Sequence, residues 1–427
     1  MRLCLPLRPL AGLLAALALA SCGGGGGTAS SSTSGSSGGS PATPGITLSA
    51  LATITSPTGA PAISHMADAV VVGDHAILRS DSAETSQNAH PRTRFTIVDA
   101  QGRASASVDF GYTLAAGYNG DWTMQAIPDG SGFALLQLSS ANKLFLFDGQ
   151  ARLTSPAAGI DLNTIANDGS TIFSTGAIVD GNGIWVAPVF QYPQKDGSAI
   201  YRIRLTKFDF SGKALTPTAF IASSTKGMVP RLAASAGALS IFWIDGTQPS
   251  LAYWAQGGGN PQPKGINAGL SQVGLIPVAL NGSGKLGLLW GGKSSLSGPL
   301  DGVQLDANGD PVLIAGATDW SGEILSSQWV GARRGLKPGA DYVNGRLLIT
   351  DLVDDTAFNG DTILVADYVL GSTPLSAVTP ITATVRRAAG ARNVDIGSVL
   401  RQLVFSDHTL LLIGDSDHAE ASVVTRH

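Results

Sequence analysis

One pattern constrains this chain more than any other. A short apolar strand, a tight turn of Gly, Asp, Asn or Ser, and a second, more apolar strand recur along most of its length. The copies are Ala69–Ser80, Gln125–Ser139, Ala177–Phe190, Leu232–Ile244, Val278–Trp290, Asp341–Asp351 and Gln402–Gly414. Their turns fall near positions 73, 129, 180, 236, 281, 344 and 406, about 55 residues apart. Gly and Asn accept the positive φ that two-residue hairpin turns demand, so apolar alternation around such pairs reads as a hairpin. A second hairpin-like stretch follows several of these units: Phe95–Asp109, Lys143–Thr154, Lys207–Thr216, Gly302–Ala315 and Asp361–Thr379. Two hairpins per period make a four-stranded sheet, and beyond the N-terminus no segment keeps a 3.6-residue apolar period over three turns. The expectation is an all-β chain whose residues 46–427 form a β-propeller of seven four-stranded blades. A series of sandwiches would need linkers between units of about 100 residues, and none is present.

The ends of the repeating region fit a closed ring. The last unit supplies strands near 400–405, 408–413 and 419–425 and lacks a fourth, whereas Ile46–Ser56 alternates apolar and polar residues ahead of the first unit. Pairing this surplus strand with that deficit closes the circle with mixed N- and C-terminal strands and removes an exposed edge.

The N-terminus reads as an address. Met1–Leu10 carries Arg2 and Arg8 and no acid, Ala11–Ala20 is apolar, and small residues follow. This is the layout of a secretory signal, too short for a stable span. Leu19-Ala20-Ser21-Cys22 resembles the lipobox of bacterial lipoproteins. The resemblance implies a signal peptide over 1–21, cleavage before Cys22, and acylation of Cys22 as the lipidation site. It also implies a lipid-anchored protein of the bacterial envelope. Gly23 at the next position is similar to the outer-membrane sorting pattern. Of the two cysteines, Cys4 leaves with the signal, so Cys22 is the sole thiol of the mature chain and no internal disulfide can form. Several acyl chains on one residue exceed what stable anchoring requires. Residues 23–45 are Gly, Ser, Thr, Ala and Pro without a charge, a flexible tether with a reach of roughly 26 Å.

Composition excludes several classes. Only 14% of the 427 residues are charged and the net charge is −4, which offers no electrostatic footprint for nucleic acid. The chain is too apolar, at 44% hydrophobic, for a disordered protein. In plan it is similar to the propeller lipoprotein of the outer-membrane assembly machinery, with lipobox, tether and Gly/Asp-turned blades. It lacks the regular Trp that closes each repeat there, so no binding residue carries over.

Residues with chemistry are sparse. Six His (65, 75, 90, 408, 418, 427) cluster in the first and last units, which the ring brings together. Their spacing matches no ligand motif. His75 follows Asp74 and His408 follows Asp407, which reads as decoration of exposed turns. Asp306-Ala-Asn308-Gly-Asp310 satisfies only the first half of a calcium loop and reads as a hairpin turn. Asp351, Asp354, Asp355 and Asp361 read as an acidic loop between strands. Arg333, Arg334 and Lys337, and Arg386, Arg387, Arg392 and Arg401, form the basic clusters. They read as solvated connections able to face anionic lipid headgroups or an acidic partner. Trp320 and Trp329 are the preferred exposed aromatics. These features favour a non-catalytic binding or scaffold platform on the membrane, monomeric, with an envelope protein or polymer as partner. No cofactor, metal or catalytic residue is assigned. The alternative is a periplasmic hydrolase or lyase using His65, His75, His408 or a nearby Asp at the channel mouth.

Overall fold

The computed structural model describes residues 45–63, 66–81, 92–113, 121–138, 142–162, 170–235, 238–245, 248–255, 263–265, 276–280, 285–291, 300–304, 322–325, 339–343, 346–355, 360–369, 381–386, 399–414 and 418–427. The chain divides into Met1–Ala42 and Thr43–His427, and all described residues belong to the second unit. Among them every regular element is a β-strand, and no helix is long and apolar enough to cross a membrane.

The described strands form seven antiparallel sheets, numbered here in chain order. Sheet one is Met66–Val72, His75–Asp81, Arg92–Asp99 and Ala104–Thr113. Sheet two is Asp121–Ala126, Gly132–Leu138, Lys143–Asp148 and the two-residue Ile160–Asp161. Sheet three is longer: Thr171–Asp180, Gly183–Pro193, Ala199–Asp209 and Ala219–Ser224. Sheet four runs Arg231–Ser235, Ala238–Asp245, Gln248–Ala255 and Pro263–Gly265. Sheet five runs Ile276–Leu280, Lys285–Gly291, Leu300–Gln304 and Gly322–Leu325. Sheet six runs Gly339–Val343, Arg346–Asp355, Gly360–Val369 and Ile381–Arg386. Sheet seven is Val399–Val404, Thr409–Gly414 and Ala419–Arg426, completed by Ile46–Leu48 and Ala52–Thr53.

Each sheet is an up-and-down meander. Its first strand lies against the first or second strand of the next sheet, and the first strand of sheet seven lies against that of sheet one. That cyclic succession makes the molecule a β-propeller. Ring closure follows the expected strand exchange: Ile46 pairs with Arg426 and Leu48 with Val424, while Ala52 pairs with Ala421. The Ser49 hydroxyl accepts from Val423 N and the Ser422 hydroxyl donates to Ser49 O, stitching the same seam.

The seven first hairpins coincide with the turns read from sequence. Of the second hairpins, Phe95–Asp109 is present, with Phe95 opposite Val108, Gly302–Ala315 lies largely outside the described residues, and the other three need correction. In sheet two, Phe147 and Leu153 make only an isolated bridge, and the fourth strand is Ile160–Asp161. In sheet three, Phe208 and Ala214 do the same, ahead of Ala219–Ser224. Within Asp361–Thr379, Gly360–Val369 is one strand, and its partner on the outer side is Ile381–Arg386, beyond the stretch read from sequence. Asp351, Asp354 and Asp355 likewise lie on a strand rather than in a loop, with Asp354 directly opposite Asp361.

The core sits in the seams between sheets. Between sheets one and two, Phe95, Phe133, Phe145 and Phe147 are buried with Ile77 and Leu135, with Phe133 stacked on Phe147 at 4.8 Å. Each such side chain contributes about 2–3 kcal/mol through burial. Trp185 and Trp243 are buried between sheets three and four, as expected of strand tryptophans.

Candidate functional site

The turn chemistry explains why the polar residues stand where they do. Asp99, Asp148 and Asp209 end the third strands of sheets one, two and three, and each folds the following residues the same way. The Asp carboxylate accepts from the backbone N–H two and four residues on: Gln101 and Arg103, Gln150 and Arg152, Ser211 and Lys213. The fourth residue of each turn is left-handed, at Gly102 (φ 80°), Ala151 (φ 56°) and Gly212 (φ 87°). Ser211 holds the Asp209 carboxyl below its ordinary range by a side-chain hydrogen bond.

Against these turns stand the two Asp-His pairs. His75 Nε2 lies 2.6 Å from Gly149 O, in the turn of sheet two, and its Nδ1 lies 2.9 Å from Asp74 Oδ1. His408 repeats the arrangement one seam earlier: Nε2 is 2.6 Å from Ala100 O in the turn of sheet one, and Nδ1 is 2.7 Å from Asp407 Oδ1. The His408 ring also stacks on Phe405 at 5.0 Å. The hydrogen bond and the charge of each imidazole hold the Asp74 and Asp407 carboxyls below their ordinary range. Expected as solvated turn decoration, the two imidazoles are instead 18% and 10% exposed and span neighbouring sheets. A carbonyl and a carboxylate both only accept, so each ring nitrogen of the two histidines stands against a fixed acceptor of the protein itself.

His418 lies at the opposite end of strand Thr409–Gly414 from His408, roughly 20 Å away along the strand. It faces Glu420 at 3.9 Å. His427 contacts Thr47 at the closing seam. His65 and His90 lie outside the described residues, as do Cys22, Asp306, Asn308, Asp310, Trp320, Trp329, Arg333, Arg334, Lys337, Arg387 and Arg392. Among the described residues no three His, Cys, Asp or Glu side chains are grouped to hold a metal ion.

Arg401 also requires correction. Read as part of a solvated basic cluster, it lies on the first strand of sheet seven and donates from Nε to Asp68 Oδ1 at 2.7 Å. Asp68 is buried on the first strand of sheet one, and its other oxygen accepts from Met124 N of sheet two at 2.8 Å. One carboxylate therefore ties three consecutive sheets. Gln125 and Gln402 act similarly: Gln125 Nε2 donates to Ala177 O, and Gln402 Nε2 donates to Leu348 O. These linkers were missed from sequence. Their signal was a polar residue inside an otherwise apolar inner strand, as in Met66-Ala-Asp68-Ala-Val.

Comparison with known proteins adds the fold alone. No protein-family model matches the chain, and no curated protein matches it. Among solved structures, it is similar to YCF48 from Cyanidioschyzon merolae, at 11% identity and a TM-score of 0.45 over 89% of this chain and 99% of that one. It is also similar to the β-propeller domain of the Trilobed protease from Pyrococcus furiosus, at 12% identity and 0.44 over 85% and 95%. Aleuria aurantia lectin matches at 12% identity and 0.40 over 77% and 99%. These neighbours include a protease domain and a lectin, so likeness of fold leaves activity open. The chain is an all-β propeller by its own strand order and ring contacts.

Proposed function

We propose that this protein is a lipid-anchored, non-catalytic propeller that presents a rigid binding platform in the bacterial cell envelope, at the outer membrane. Acylated Cys22 is its anchor, residues 23–45 its tether, and an envelope protein or polymer its partner. The observation that carries the reading is the use of His75 and His408. The two described candidates for acid–base work each set Nδ1 against the Asp of their own turn and Nε2 against a backbone carbonyl of the neighbouring sheet. The lipobox-like Leu19–Cys22 supports the anchor, and the closed ring of sheets supports the platform, because loops on a stiff scaffold carry recognition.

Growth on radioactive palmitate tests the anchor: wild type takes up label and Cys22→Ser does not. Equal labelling of both removes the anchor. Photo-crosslinking from loop positions in intact envelopes tests the platform. A reproducible envelope protein or polymer adduct supports it, and adducts to lipid alone overturn it.

A further inference from the structure

The seam between sheets one and two encloses polar atoms that its own packing does not satisfy. On sheet one, Arg79 stands opposite Phe95, and Phe95 meets Phe133 of sheet two at 5.2 Å. Directly paired residues share a side of the sheet, so Arg79 points into this seam. Its side chain is 8% exposed and donates from Nη2 to Asp81 Oδ2 at 3.0 Å. The other Asp81 oxygen accepts from the Thr93 hydroxyl at 2.8 Å. Arg79 Nε and Nη1 are buried and have no hydrogen-bond partner among the described residues.

On the other wall, Gln137 alternates with Phe133 and Leu135, which pack against sheet one. Gln137 is 6% exposed, and its Oε1 is buried with no hydrogen-bond partner among the described residues. The two groups lie at one level of the seam. Phe110, in line with Asp81 and Thr93, meets Phe145 at 5.4 Å. Trp122, opposite Gln137, stacks on the same Phe145 at 5.9 Å. Guanidinium donors on one wall thus face an amide acceptor on the other, beside a row of aromatic rings. Asp81 is 21% exposed and Trp122 half-buried, so this level reaches the surface. Packing does not call for a charge here, since Ile77, on the same side of the same strand, is apolar and wholly buried. Buried donors and acceptors left unbonded destabilise a fold that apolar residues of similar size would not.

The chemistry of a ligand follows from these groups. Asp81 already balances the charge of Arg79, and an anion would set its oxygens against Gln137 Oε1. A cation would face the guanidinium. A hydroxyl both accepts and donates, so an uncharged ring with neighbouring hydroxyls satisfies Nε, Nη1 and Oε1 together and lays its C–H groups along the aromatic row. We propose that the seam between sheets one and two binds a neutral sugar residue, held by Arg79 and Gln137. The site deepens the platform reading, on which it rests for a biological role, by naming a saccharide as the polymer partner. It is independent of the Cys22 anchor.

Saturation-transfer NMR on the full chain, in a detergent without a sugar headgroup, tests the site with glucose, galactose, mannose and N-acetylglucosamine. Glucuronate and glucosamine are the charged controls. The expected result is transfer to at least one neutral sugar, with weaker binding of the charged ones. Arg79→Met and Gln137→Met should each weaken that binding about tenfold or more. Gln137→Met keeps the test valid if Arg79→Met fails to fold, because it replaces an amide with an unsatisfied oxygen by an apolar chain of similar length. No transfer to any neutral sugar overturns the proposal and leaves these atoms to ordered water only. Binding that neither substitution weakens overturns it as well. A reproducible protein adduct from the loop crosslinks, with no transfer to sugar, removes the sugar site and keeps the platform.

Discussion

Arg401 and Asp68, 333 positions apart in sequence, meet at 2.7 Å across the seam between the last and first sheets. Asp68 is 7% exposed and Arg401 37%, so the pair is unequal. The carboxylate is the buried member, and it also accepts from Ala69 N and Met124 N.

Asp68→Ala should therefore cost more than Arg401→Met. The first strands two backbone donors and a guanidinium, about 3–5 kcal/mol, while the second leaves a buried but still hydrogen-bonded carboxylate. Urea unfolding of both variants checks the order, and equal losses would show that the pair alone matters.

The Asp-His struts make a titration prediction. Asp74 and Asp407 are held below the ordinary carboxyl value of 3.8 by their histidines. A depressed carboxyl adds stability above its unfolded value and loses it as pH falls through the folded one. In His75→Gln and His408→Gln variants both carboxyls should return upward toward 3.8, read by carbon NMR, and the acid unfolding midpoint should shift up in pH. Unmoved carboxyl titrations would assign the depression to the turns instead.

At two points the seam between sheets seven and one is too close for an added methyl. A Cβ on Gly102 would stand 2.8 Å from Ala421 Cβ, and one on Gly414 would press on Met66. Gly102→Ala carries the further strain of φ 80°. Both substitutions should destabilise by about 1–3 kcal/mol, Gly102→Ala the more. Thermal unfolding of the two variants gives the comparison.

Closure by the N-terminal strands should be visible in exchange. Replacing Thr47 and Leu48 by proline removes donors and fits no strand interior. The amides of Ala419–Arg426 should then exchange faster, while those of Ile184–Ala187 in sheet three keep their protection. Uniform acceleration would mean the ring opens as one unit, with no separate closing seam.

Much of the fold was legible because a hairpin is local. Asp74 and Asn182 sit beside the glycines at which the chain turns, and the apolar residues on both sides point to one sheet face by alternation alone. The surplus of Ile46–Leu48 and the missing strand after Arg426 were legible as arithmetic. The roles of His75 and His408 were not, because Asp-His in a turn looks the same whether solvent or the next sheet lies beyond it. Asp351–Asp355 misled for a related reason: acids near a hairpin end read as loop although the strand Arg346–Asp355 runs on through them.

Local turn preference and two-residue alternation thus determine which residues form strands and how many hairpins follow one another. They act within a few residues and need no partner. What faces what across a seam was decided by the tertiary structure. The rotation of each sheet against the next places Gly149 beside His75 and Asp68 between Arg401 and Met124. Such meetings depend on the closure of the whole ring, and no short stretch of sequence contains it.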